Sequence, residues 1–380
     1  MCVAHDVVVV GGGPAGLTAA SELSSMGYSV LLLEDDSEIG YPVKCAGIIS
    51  SEGLDVFRHV CGHEVDGGRL SQGEVEVSGE GKVGVNLEGL GIVSIDRRSL
   101  DRCLFDAAAS NGAKFRLSER ATRLSAGSVE SRDGVHTARV IVDARGASAY
   151  PRRDRLLYAI QYTCRQFAGD RIKGHARVVV DKAVSREYFM WQVWSESGDV
   201  LVGGAGSSPA SITSSVESMI DKAGCAQYRM VRSPIVIGGF VTSGSDGTFK
   251  VGDAAGATKP LTGGGDVLGV ESSLMAARAI SSYLSGELSL ADAHRSYENA
   301  WRRAHGKEES AQKLLRAVYE RMDDRDVWGL LERMRASGIL DNPRAKFDEL
   351  GGWMIASLGA RVIGAMVLRR VQDALALHIT

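Results

Sequence analysis

Apolar residues near the N-terminus form two unbroken runs, Val7 to Val10 and Val30 to Leu33, separated by a stretch with apolar positions at helical spacing. Unbroken β-branched and aliphatic runs suit strands buried on both faces, so the pattern predicts strand, helix, strand. A third such run, "ARVIVD", ends at Asp143 in the tight glycine turn "DARGAS". The pattern then changes. Residues 73–87, "GEVEVSGEGKVGVNL", alternate weakly and read as a hairpin. Between Leu156 and Phe240 lie "LLYAIQYTC", "HARVVVD", "EYFMWQVW", "DVLVGGAG" and "SPIVIGGF", with "SESGDV" as a hairpin turn, and an antiparallel sheet is the simplest assembly. The C-terminal third turns helical: "YENAWRRAHGKEESAQKLLRAVYERM" carries charges at helix spacing around an apolar stripe. Residues 352–370 are more apolar, but Arg361 breaks the run and Arg369 and Arg370 close it. That is too interrupted for a membrane span; it fits a packed terminal helix or one lying in a membrane interface.

Chemistry enters at the strand ends. Gly11, Gly13 and Gly16 fill a GxGxxG pattern directly after the first apolar run. The first glycine permits the turn, the second lets a pyrophosphate approach the backbone, and the third lets the helix lie against the strand. The helix N-terminus offers free N–H groups and the positive end of its dipole. Glu34 ends the second run close to the expected offset, where a carboxylate takes both hydroxyls of a ribose. Far along the chain, "FKVGDAAG" predicts a short strand ending at Asp253, and "TGGGD" precedes a helix expected from about Asp266 to Leu284. This is a second bare helix N-terminus. A nicotinamide dinucleotide needs one cradle; FAD is longer, with a ribityl chain and a ring whose pyrimidine end is anionic. The two loops are therefore expected to grip opposite ends of one FAD. The plainer alternative is a helix cap followed by flexible glycines.

Composition narrows the classes. Among 380 residues, 44% are hydrophobic and 24% charged, as in globular proteins, and the formal net charge of -3 gives no electrostatic case for nucleic acid. Six scattered cysteines show no CxxC pair and no metal-ligand spacing, which argues against a disulfide framework or a metal and for a reducing cytoplasm. The first glycine loop begins so near Met1 that no signal peptide is expected.

Three segments, "GGGPAGLTAA" with Glu34, "IGYPVKCAGIIS" at 39–50 and "GDAAGATKPLTGGGD" at 252–266, resemble the geranylgeranyl reductase family, particularly its archaeal digeranylgeranylglycerophospholipid reductases, within the FAD superfamily of the p-hydroxybenzoate hydroxylase type. The similarity covers about residues 1 to 285. It implies an α/β chain, α+β overall: a discontinuous Rossmann-like FAD-binding domain (1–60, 92–150 and 240–285), an antiparallel-sheet substrate domain (61–91 and 151–239) and a helical C-terminal region (286–380). Carried over by position, the family's FAD contacts fall on Ala15, Glu34, Cys45, Ala46, Arg97 and Ala121, with Asp253, Gly265 and Asp266 at the ribityl and flavin end. The family's substrate motif is roughly Tyr-x-Trp-x-Phe-Pro; here Phe189, Trp191, Val193 and Trp194 occupy those four places, and only the tryptophan is retained. Phe189, Trp191 and Trp194 fit either a pocket wall or ordinary sheet core.

The activity implied is FAD-dependent saturation of an isoprenoid lipid, coupling protonation of an alkene to hydride delivery. Cys45 is the ionisable group expected nearest the ring, either to donate or relay a proton or to pack against it. No second nucleotide cradle is evident, so the electron donor stays open among a ferredoxin, a deazaflavin and NAD(P)H. Cytoplasmic placement with peripheral membrane contact fits a lipid substrate. A flavin hydroxylase shares the FAD framework, but its usual histidine after the GDAA run is here Gly256. A flavin-bound redox sensor is the non-enzymatic alternative.

Overall fold

Parallel strands need both faces covered, and the first apolar runs meet that demand: Val7, Val8, Val9 and Leu32 are fully buried. A computed structural model describes residues 4–65, 67–166, 173–195, 198–241, 246–338 and 340. Among them the helices are α1 (Pro14–Ser25), α2 (Ser51–Cys61), α3 (Arg97–Ser110), α4 (Pro209–Lys222), α5 (Asp266–Leu284), α6 (Leu290–Tyr319) and α7 (Asp324–Ala336).

The first sheet has seven strands. In spatial order these are Lys114–Arg116, Val30–Leu33, His5–Val10, Val135–Asp143, Ser128–Ser131 and Ala121–Ser125, and Thr248–Lys250 also pairs with Val135–Asp143. The first four strands and Thr248–Lys250 run parallel, while the last two add antiparallel. Helices α1, α3 and α5 supply Leu17, Leu23, Leu100, Leu104, Val270 and Ile280 to the core on one face. The strands leading to Gly11, Glu34, Ala144 and Gly252 all end at one edge, where ligands bind in open α/β sheets. Asp253 lies within a 3₁₀ turn (Gly252–Ala255) that follows the strand rather than at the strand's end, because Gly252 turns the chain at φ +59°.

The second sheet has eight strands: Cys225–Arg232, Leu156–Gln166, Asp199–Gly206, Met190–Trp194, His175–Val180, Gln72–Val77 and Gly81–Asn86, with Ile235–Val236 beside Leu156–Gln166. The expected 73–87 hairpin is there, yet it does not stand alone. Its first strand pairs in parallel with His175–Val180 and extends the sheet. One face of this sheet packs Ile160, Tyr162, Met190, Trp194 and Val202 against Ile212, Val216 and Ile220 of α4. The other faces a cavity. A small sheet of Ile48–Ser50, Ile92–Ser94 and Gly68–Arg69 closes one side of it.

Helix α6 ties the halves together. Its thirty residues, at about 1.5 Å each, reach from one unit to the other. Ala293 and Tyr297 enter the core of the first sheet, whereas Leu315 and Val318 pack with Val77 and Val180 of the second. The expected helical C-terminal region is thus partly a brace. Residues 352–370 lie outside the described residues, and no described helix is long and apolar enough to cross a membrane. The expectation of no disulfide needs correction: α2 and α3 lie side by side, bring the Cα atoms of Cys61 and Cys103 to 5.8 Å, and the two are bonded.

Helices α1 and α5 cross where Gly252 touches Ala15. A Cβ on Gly252 would sit 2.8 Å from the Ala15 Cβ, in a left-handed conformation that costs other residues about 1–2 kcal/mol. Gly252→Ala is therefore expected to lose about 2–3 kcal/mol in urea unfolding, strain and overpacking together. An unchanged midpoint would show that the crossing tolerates the methyl group.

Candidate active site

The strand ends and both glycine loops line one cavity of about 1000 Å³. Its lining includes Gly11, Gly13, Ala15, Glu34 and Ala121, then Cys45, Ala46, Arg97, Asp253, Gly265 and Asp266, and also Phe189 and Trp191. Chain positions some 240 residues apart are brought together by α1 and α5. Ser273 Oγ donates to the Ala15 carbonyl at 2.7 Å, and the Gly252 amide donates to Ser272 Oγ at 2.9 Å. Gly16 has a packing role: a Cβ there would lie 1.9 Å from the Gly11 carbonyl oxygen.

Gly13 tests whether the site suits a dinucleotide. Its φ of -78° is open to any residue, and an added Cβ would meet no protein atom within 4 Å. Neither strain nor packing asks for glycine there, and the space is open to a ligand approaching the helix N-terminus. No side chain caps α1 at Gly13 or α5 at Gly265, leaving first-turn N–H groups for phosphate and flavin oxygens. Glu34 is held by the amides of Gly12 and of Asp36, the latter at 2.9 Å. Burial pushes its carboxyl up to about 7; Asp35 acts in the same direction and the two amides oppose it. The residues present fit FAD, whose phosphates the open helix N-termini would hold.

A buried charge cluster sits beneath that second end. Asp266, the first residue of α5, receives Arg97 Nη1 at 2.9 Å on one oxygen and faces the Cys45 sulfur at 3.3 Å with the other. Arg97 opens α3 and also forks onto Asp101 one turn later, with Nε at 3.3 Å from one oxygen and Nη2 at 3.2 Å from the other. Such bidentate pairs fix geometry as well as charge. Burial pushes the Cys45 thiol up to about 12, Asp266 adds to this and Arg97 opposes it. Cys45 is consequently a thiol at neutral pH and donates its proton to Asp266. Burial likewise raises Asp253 to about 6, with Asp266 adding and Arg97 opposing.

The aromatic residues separate. Phe189 stacks on Tyr188 with ring centres 4.2 Å apart, and both line the cavity. Trp191 lies flat over Gly203, where a Cβ would meet its ring at 2.4 Å. Trp194 is not a wall residue. Three positions along the same strand it points to the opposite face, into the α4 core beside His175. Sequence reasoning passed over Tyr188, Asp101, Gln161, Lys259 and Thr262, all of which line the cavity. The i, i+4 spacing of Arg97 and Asp101 was a usable signal for one of them.

A family model described as an FAD binding domain matches residues 4–149. The chain is 31% identical over 293 residues to digeranylgeranylglycerophospholipid reductase 1 of Methanopyrus kandleri, covering 68% of this chain and 76% of that protein. It is 27% identical over 377 residues to the digeranylgeranylglycerophospholipid reductase of Methanosarcina mazei, covering 87% and 88%. Among solved structures, a geranylgeranyl bacteriochlorophyll reductase-like protein from Thermoplasma acidophilum superposes with a TM-score of 0.76 at 17% identity over 98% of both chains. A probable FAD-dependent monooxygenase from Pseudomonas aeruginosa gives 0.63 at 19% identity, over 86% of this chain and 99% of that one. These two likenesses carry the fold alone. Fold, paired cradles and the FAD-domain match define the class, that of an FAD-dependent oxidoreductase. Within it, the chain belongs to the digeranylgeranylglycerophospholipid reductase family.

Gly13→Ala is expected to leave the urea midpoint unchanged while weakening FAD binding at least tenfold, or by about 1.4 kcal/mol; equal affinity would remove the phosphate cradle from that position. Asp266→Asn removes the charge that helps hold the Cys45 proton and leaves Arg97 to act alone. The thiol should then titrate at lower pH, and alkylation of the Cys45 peptide at pH 8.5, followed by mass spectrometry, should speed up at least about threefold. A slower or unchanged rate would contradict the assigned hydrogen bond.

Proposed function

We propose that the protein saturates double bonds of geranylgeranyl chains, in membrane ether lipids of the kind that the names of its relatives specify. The observation that carries this reading is the shape of the cavity. Past Cys45 and Ala46 it continues between the small sheet and the second sheet, lined by Ile48, Val85, Leu87, Leu90, Ile92 and Val193. A further stretch is lined by Val178, Phe189, Leu331 and Met334. Such walls suit a long hydrocarbon, each buried CH₂ of which contributes about 0.8 kcal/mol.

Bound FAD, once reduced, supplies hydride. The protein's own part is to bind, orient and protect. The backbone ends of α1 and α5 hold the cofactor, and the apolar walls align the alkene and keep water out. Cys45, kept protonated beside Asp266, holds a proton at Sγ within the stretch of wall between the cofactor cradle and the apolar space. Its role in delivering that proton belongs to this proposal. The reductant, whether a ferredoxin, a deazaflavin or NAD(P)H, and any peripheral contact with a membrane belong to it as well.

The test is expression in a host that makes unsaturated archaeal ether lipids, followed by lipid mass spectrometry. Mass gains in steps of two hydrogens are expected, and Cys45→Ala should keep its flavin and lose most of the gain. Unchanged lipids would sink the reductase reading, and NADPH-driven oxygen consumption in the same preparation would favour a monooxygenase. Absence of turnover with any prenyl lipid or oxygen would leave the redox sensor.

A further inference from the structure

Gln161 breaks the chemistry of the cavity wall. Across the second sheet one row of paired positions runs Val231, Gln161, Gly203, Trp191, Val178 and Val75. In that row Gln161 alone carries a polar side chain, and it is 4% exposed. Indole N–H is a donor only, so the 3.1 Å bond from Trp191 Nε1 assigns the amide oxygen to Trp191 and turns the amide nitrogen away from it. That nitrogen finds no partner among the described residues. A buried donor left unpaired costs about 1–3 kcal/mol, whereas Leu or Met would fill the place without that cost. Two other cavity-lining residues carry a buried atom without a hydrogen bond among the described residues: Arg177 Nε, which is ion-paired with Glu74 at 3.0 Å, and Thr262 Oγ1, which belongs to the glycine loop given to the cofactor. Gln161 has no such assignment.

We propose that Gln161 and Trp191 form a subsite for an uncharged ligand oxygen. The Gln161 amide donates to an ether or hydroxyl oxygen of the bound chain, and Trp191, pressed flat on Gly203, forms the floor next to it. The inference rests on the isoprenoid reading and sharpens it: the substrate carries an acceptor oxygen that enters the cavity, and a plain hydrocarbon is disfavoured. Gln161 is then a specificity residue and Trp191 its positioning partner.

The experiment measures binding of two probes to the FAD-loaded protein by calorimetry: farnesyl methyl ether, and the hydrocarbon with CH₂ in place of its oxygen. The wild type should bind the ether roughly five- to tenfold more tightly, the scale of one net hydrogen bond. Gln161→Met should bring the ratio to about one with hydrocarbon affinity maintained. Trp191→Phe, which keeps the amide donor, should retain a preference for the ether. Equal binding of the two probes by the wild type, or a preference surviving in Gln161→Met, overturns the subsite alone. Failure of both probes to bind overturns the isoprenoid reading and the subsite with it.

Discussion

The structure depends on the close approach of two helix N-termini. Ala15 near the start of α1 and Gly269 in α5 come within touching distance, with Gly252 wedged between them. Any side chain at Gly252 would push the helices apart. The serines of α5 make the contact polar as well as close: Ser273 takes up the Ala15 carbonyl and Ser272 the Gly252 amide. Two positive dipole ends are thereby held side by side without an anion of the protein's own on α1, which has no acidic residue in its first turn. This arrangement is unfavourable by itself and becomes favourable when something negative lies across both ends. A bound FAD, with its pyrophosphate and the electron-rich end of its ring, would supply that charge.

The buried cluster at α5 answers the same problem on its other side. Asp266 provides a negative charge to the α5 dipole, and it shares the Arg97 guanidinium with Asp101. Buried ions are costly unless each is paired, and here two elements distant in sequence, α3 and α5, are locked by the pairing. The lock also determines the chemistry of Cys45. With Asp266 beside it, the sulfur stays protonated, and the same carboxylate fixes where the proton points. Fold and acid chemistry are thus one set of contacts.

Much of the first half was legible because its signals are local. The apolar runs ending at Val10 and Leu33, the GxGxxG turn and the start of α5 after three glycines all follow from neighbouring residues, and Asp266 to Leu284 was located to the residue. Pairings across long separations were not legible. Nothing near residue 75 announces a parallel partner at 178, and α4 went unread although Ile212, Val216 and Ile220 recur at helical spacing among its serines. Trp191 and Trp194 show the limit most clearly. Three positions along a strand reverse the face, so only one of them can be wall; which one depends on the phase of the strand, and that phase is set by Gly203 on its neighbour. Arg97 was placed correctly at the cavity, but its two acids had to be seen in space.

The position of α6 connects these points to the apolar part of the cavity. Arg316, almost fully buried, donates to the carbonyls of Pro260, Glu187 and Leu261, while Gln312 accepts from the Leu261 amide. One helix thus holds the loop before the second cradle and the segment carrying Tyr188. Tyr188 in turn donates to Thr262 and stacks on Phe189. The wall of the apolar space and the cofactor end of α5 are consequently fixed to the same rigid rod. Under the proposed reaction, an alkene lying on that wall would be positioned relative to the flavin by protein that cannot move one without the other. For a substrate that is mostly hydrocarbon, such coupling would add to the single polar contact proposed at Gln161 in setting the geometry.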